Sequence, residues 1–95
     1  MGSFKSSELT VKGRKALRVT KALSKDVSFR IMNVLKRRPL DVSTLSTRLN
    51  VSQPYISQCV SDLQHLGLIK VSYEPGKKGT RKVCEGKINK ITIEI

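Results

Sequence analysis

Gly67 divides the chain into two parts that obey different periods. Before it, apolar residues recur three and four apart. After it, Ile69, Val71 and Tyr73 alternate with Lys70, Ser72 and Glu74. The first spacing buries one face of a helix, the second one face of a strand. A chain of 95 residues builds a single small core, so both kinds of element must share it. The expected class is α+β, helices first and strands after.

Met1 to Ser7 is small and polar, and residues 1–9 read as a flexible tail, leaving residues 10–95 as one domain. Thr10 is placed to cap a helix reaching Leu23, with Ala16, Val19, Ala22 and Leu23 as its apolar stripe. Its other faces carry Lys12, Arg14, Lys15, Arg18 and Lys21, and no acid lies between Thr10 and Lys25. Such a helix repels itself, so it faces phosphate or water. Ser24 is a candidate cap for a second helix buried through Val27, Ile31, Val34 and Leu35. Asp26 stands in its first turn, and Pro39 stops it after Lys36, Arg37 and Arg38. Asp41 or Ser43 caps a short third helix with Leu45 and Leu49 inward, and Asn50 suits its left-handed end.

Ser52 then caps a fourth helix over residues 52–66. Pro54 sits in its first turn, where a missing N–H costs nothing. Ile56, Val60 and Leu63 point inward, with Cys59 beside them as a small buried hydrophobe. "EPGKKGTRK", residues 74–82, is a cationic hairpin tip. Ile91, Ile93 and Ile95 share one face of an extra C-terminal strand. Three to four helices, a hairpin and a last strand make a winged helix-turn-helix.

Composition narrows the function. Nineteen Lys and Arg stand against seven Asp and Glu, a net charge of +12. That excess favours a polyanion, nucleic acid first. The fourth helix nevertheless carries no Lys or Arg; its outward residues include Gln53, Pro54, Tyr55, Ser57, Gln58 and Ser61. Gln, Ser and Tyr can hydrogen-bond to base edges in a major groove, although Ser and Gln also tolerate plain solvent. Arg37, Arg38, Lys77, Lys78, Arg81 and Lys82 suit the DNA backbone or a minor groove, or simply a solvated turn.

Residues 22–71 resemble the ArsR-like winged-helix repressors. The likeness lies in Ala22-Leu23-Ser24 leading into Arg30-Ile31, in Leu45 through Leu49, in "VSQPYIS" and in the closing "LQHLGLI". With the first helix and the wing it extends over roughly residues 16–84. The resemblance implies a homodimeric transcriptional regulator on an inverted repeat of double-stranded DNA, with Gln53, Pro54, Tyr55, Ser57 and Gln58 facing the groove. Metal-sensing members carry paired Cys at the start of the third helix. Here Leu40-Asp41-Val42-Ser43 holds no thiol, so no metal or other cofactor is expected. The family commonly closes with a helix, and this chain closes with a strand.

For the dimer interface the residues in view are Ala16, Val19 and Leu23 of the first helix and Ile91, Ile93 and Ile95 of the last strand. Alternatively, the last strand adds a third member to the wing sheet. Cys84 is expected to point opposite to Val83, outward if Val83 is inward. No apolar run reaches membrane-span length and no signal-type segment opens the chain, which predicts a cytoplasmic protein. Scattered acids, a single His and no Gly-rich phosphate loop exclude an evident enzyme site. Besides a sequence-specific repressor, two readings stay open. They are a non-specific architectural DNA binder and a protein-interaction winged helix of the transcription apparatus.

Overall fold

The computed structural model describes residues 7–95. Its elements run β1 (Glu8–Lys12), α1 (Gly13–Leu23), α2 (Asp26–Leu35), β2 (Leu40–Asp41), α3 (Val42–Leu49), α4 (Gln53–His65), β3 (Ile69–Gly76), β4 (Gly79–Gly86) and β5 (Lys90–Glu94). Four helices and an antiparallel sheet of order β2-β4-β3 make an α+β winged helix-turn-helix. Strands β1 and β5 pair separately, in parallel. Among the described residues no helix is long and apolar enough to cross a membrane.

The core forms where the helices meet the root of the sheet. Ile31, Leu45, Ile56, Leu63, Leu68 and Ile69 are essentially fully buried, with Val19, Cys59, Val60 and Cys84 among them. On α4 the inward set is Ile56, Cys59, Val60 and Leu63, as the spacing predicts. That helix ends at a left-handed Gly67, φ 78°. The N–H of Gly67 donates to the Gln64 carbonyl at 2.9 Å and that of Leu68 to Leu63 at 3.0 Å. These two bonds close the helix while glycine makes the turn that a Cβ would resist.

The N-terminal region departs from expectation. Thr10 caps nothing: it lies in β1, opposite Thr92 of β5. The first helix begins at Gly13, whose φ of 62° makes the corner from strand to helix. Thr10 and Val11 are β-branched, and the more buried Leu9 and Val11 alternate with exposed Glu8, Thr10 and Lys12, so a strand suits the segment once β5 supplies a ladder. Of the residues expected in the tail, Glu8 and Leu9 are in β1, and residues 1–6 lie outside the described residues. Ser24 does not cap α2 either. Its N–H and Oγ close the end of α1, and Lys25, in extended conformation, occupies the N-cap position.

The last strand also goes elsewhere. The third strand of the wing sheet is β2, which pairs Leu40 with Cys84 and Asp41 with Val83. β5 instead pairs with β1 from Glu8↔Lys90 to Lys12↔Glu94, reinforced by a Lys90–Glu8 ion pair at 3.6 Å. β4 is the central strand, paired along both edges, and at its root it is packed on both faces. Val83 and Cys84 are both buried, so Cys84 does not point outward. Burial pushes its thiol up to about 11, where the reactive thiolate is scarce at neutral pH.

Candidate nucleic-acid interface

Four local devices hold α3 and α4 together. Asp41 caps α3 by accepting from the Thr44 N–H at 2.8 Å. Asn50 ends it in the left-handed region, φ 58° and ψ 49°. The Val51 N–H returns to the Ser46 carbonyl at 3.1 Å, and the Ser46 hydroxyl donates to the Val51 carbonyl. Ser52 caps α4 by accepting from the Tyr55 N–H at 3.3 Å, with Pro54 in the first turn. Each bond answers a backbone group that a helix end leaves open.

The start of α4 is thereby presented outward. Gln53, Pro54, Tyr55 and Gln58 are exposed and Ser57 is half-buried. The Gln58 amide donates to Asp62 at 3.3 Å, and Asp62 in turn pairs with Lys25 at 3.7 Å. Gln58 therefore sits in a set orientation one turn from the carboxylate.

The wing is the β3–β4 hairpin. Gly76 pairs with Gly79, leaving Lys77 and Lys78 exposed at the tip. Farther down the hairpin Arg81 lies between two carboxylates, 3.1 Å from Glu74 and 3.6 Å from Asp41. The second contact ties the wing to the cap of α3. Asp41 itself is held below the usual carboxylate range by the Thr44 hydroxyl and N–H, helped by the Arg81 charge, while burial acts the other way.

Wing and helix-turn-helix meet in a crevice lined by Ser43, Gln53, Ser57, Thr80, Arg81 and Lys82, with Asp41 at its side. The structure thus brings together Gln53 and Ser57 with Arg81 and Lys82. Arg37 and Arg38 are exposed between α2 and β2 and do not line this crevice. Ser43 and Thr80 were not among the residues that the sequence singled out for contact. Their signal is β2, which draws the start of α3 against β4, and two residues are too few to show a period.

Of the residues expected at a dimer interface, Ala16 and Val19 belong to the monomer's own core, 7% and 1% exposed. The apolar stripe of α1 is covered within the chain by its own neighbours. Leu23 and Ile91 are half-buried, whereas Ile93 and Ile95 are exposed. Leu17, 71% exposed, is an outward apolar residue of α1 that lies off its apolar stripe. Among the described residues no three of His, Cys, Asp and Glu gather as a metal site requires.

A short helix, a left-handed turn, a second helix and a hairpin define a winged helix-turn-helix protein. Residues 29–71 match the profile of the bacterial regulatory protein, arsR family, so within the winged helix-turn-helix class the chain is similar to the ArsR-family regulators. Among solved structures it is similar to reduced HlyU from Vibrio cholerae N16961. The two are 27% identical, with 77% of this chain and 73% of that one covered and a TM-score of 0.66. For the transcriptional regulator HlyU from Vibrio vulnificus CMCP6 the values are 26%, 77%, 72% and 0.64. The fold is also that of a homodimeric winged helix-turn-helix DNA-binding domain, Mb0332 from Mycobacterium bovis. That domain is 22% identical, with coverage of 77% and 64% and a TM-score of 0.66. No curated protein matches the sequence. The family's work is DNA-binding transcriptional regulation.

Proposed function

We propose that this chain is a sequence-specific regulator of transcription, a repressor rather than an enzyme, acting as a homodimer on an inverted repeat of double-stranded DNA. The N-terminal half of α4 enters the major groove. There Gln53, Tyr55, Ser57 and Gln58 meet base edges, with Pro54 against the groove wall. Lys77 and Lys78 at the wing tip, with Lys82, hold the backbone or the minor groove, and Arg37 and Arg38, between α2 and β2, add charge for the backbone. The observation that carries the reading is the division of chemistry across one surface. An exposed helix start without a single cation lies beside a hairpin that is rich in them. Phosphate binding alone has no use for the uncharged part, since backbone contacts carry no sequence information.

The size of the domain against its target supports the dimer. One domain of this size spans a single half-site, and a two-fold pair grips successive turns of one face. Ile93 of β5, Ile95 just after it and Leu17 of α1 are among the exposed apolar residues available to a second copy, as is Phe29 of α2. An interface centred on the rest of α1's exposed face would bring Arg14, Lys15 and Arg18 of two copies together, at a cost in repulsion. No metal enters this reading.

Selection of bound duplexes from a random pool tests it. The expected result is a motif of two inverted half-sites spaced by about one helical turn. A pool that stays random supports an architectural binder instead, and no retained DNA points to a protein partner.

A further inference from the structure

Helix α1 carries a cationic surface that neither the reading helix nor the wing uses. Arg14, Arg18 and Lys21 recur four and three apart, on one face, and all are exposed. This stripe runs into a shallow pocket between the C-terminal ends of α1 and α4. Arg18, Lys21, Lys25, Asp62 and His65 form its rim, and Ala22 and Leu66 supply an apolar floor.

Cations at helix C-termini ordinarily answer exposed carbonyls. Here most of those carbonyls, three on each helix, already have partners. The Ser24 N–H donates to Thr20 at 3.0 Å, the Ser24 hydroxyl to Lys21 at 2.7 Å, and the Lys25 N–H to Ala22 at 3.3 Å. On α4 the N–H groups of Leu66, Gly67 and Leu68 reach Asp62, Gln64 and Leu63. The rim cations are therefore not needed as caps. Lys25 has Asp62 at 3.7 Å, and neither Arg18 nor Lys21 has a carboxylate partner among the described residues. Three cations, one paired carboxylate and an apolar floor suit an anion with an apolar body.

We propose that this pocket binds a small organic anion, a carboxylate or phosphate ester on an aryl or alkyl body, and that occupancy reaches α4 through Asp62. An anion seated on Lys25 draws the ammonium from Asp62, which then holds Gln58 alone. The pocket stands by itself, whereas the coupling rests on the reading role proposed for α4. Gln53 lies nine residues from Asp62, about 14 Å along the axis, so the anion and the base-reading end occupy separate places.

The test titrates the full 15N-labelled chain with phenyl phosphate, inorganic phosphate or a short duplex, at constant ionic strength. Phenyl phosphate should give saturable amide shifts confined to residues 18–25 and 62–66, and inorganic phosphate much weaker ones. Replacing Arg18→Gln and Lys21→Gln together should weaken phenyl phosphate by about tenfold or more, with the rest of the spectrum unchanged. No saturation, an equal response to inorganic phosphate, or equal shifts at Lys77 and Lys78 would overturn the site. So would a duplex that moves the same amides and is merely displaced by phenyl phosphate, since the cations would then be a seat for DNA backbone. For the coupling, phenyl phosphate should change duplex affinity by about two- to fivefold, the range of an exposed ion pair, and Asp62→Asn should abolish that change. Binding without any change in duplex affinity refutes the coupling. A chain that takes phenyl phosphate and no duplex refutes the reading role of α4 and upholds the pocket.

Discussion

Helix α4 and the wing face the same crevice but are held in opposite ways. The helix is anchored along its length: Ile56, Cys59, Val60 and Leu63 are each no more than 1% exposed. The wing has no buried residue from 72 to 82, and beyond the short β2–β4 ladder at its root an Arg81–Asp41 ion pair ties it to the helix-turn-helix. Base recognition by hydrogen bonds demands a platform held to a fraction of an ångström. A charge that meets phosphate tolerates a looser mount, because Coulomb attraction varies gently with distance. On the function proposed above, specificity and affinity rest on different mechanical footings in this domain.

The largest expected effect breaks the footing of the helix. Leu63→Ala removes a fully buried side chain and should cost about 2–5 kcal/mol of stability. Lys77→Ala, on the exposed tip, should stay within about 0.5 kcal/mol. Urea unfolding of both variants checks this, and comparable losses would erase the distinction. Next comes the chemistry at the helix surface. Gln58→Ala should cost about 1–3 kcal/mol on the selected site and almost nothing on random duplex. An equal loss on both would make Gln58 a general contact.

Neutralising Lys77 and Lys78 together should weaken all sequences alike. The slope of log affinity against log salt should fall by about 0.9 for each phosphate that these lysines no longer neutralise, and an unchanged slope would leave both in solvent. The smallest effect concerns the tie itself. Asp41 has a lowered folded pKa. Its contribution to stability is therefore present above the ordinary carboxylate value of 3.8 and is lost as pH falls through the lower folded value. Asp41→Asn keeps a cap acceptor but not the charge. Its melting temperature should fall less steeply than that of the parent as pH drops below about 5. At neutral pH the variant frees Arg81 from one of its two carboxylates, so its salt slope on DNA should rise, and a slope that stays put would mean Arg81 reaches no phosphate.

By itself, the sequence determined the helix-turn-helix. Asp41, Asn50, Ser52, Pro54 and Gly67 do at α3 and α4 what their chemistry predicts, because caps and left-handed turns act on backbone groups within one helical turn. The inward set of α4 was equally legible from its spacing. The hairpin with its lysine tip was legible because Pro and Gly punctuate it. Tertiary structure decided what depends on a distant neighbour. Thr10 left the first helix because β5, 82 positions away at Glu8↔Lys90, offers it a ladder. Leu40 and Asp41 became a strand, burying Cys84 and bringing Asp41 to Arg81, although two residues carry no period of their own. Ala16 and Val19 went to the core and left Leu17 outside, since a stripe at helical spacing states that a face is apolar and not what covers it. Local hydrogen bonds are encoded by the residues that make them, whereas a strand's partner and a salt bridge's second carboxylate are chosen only when the chain packs.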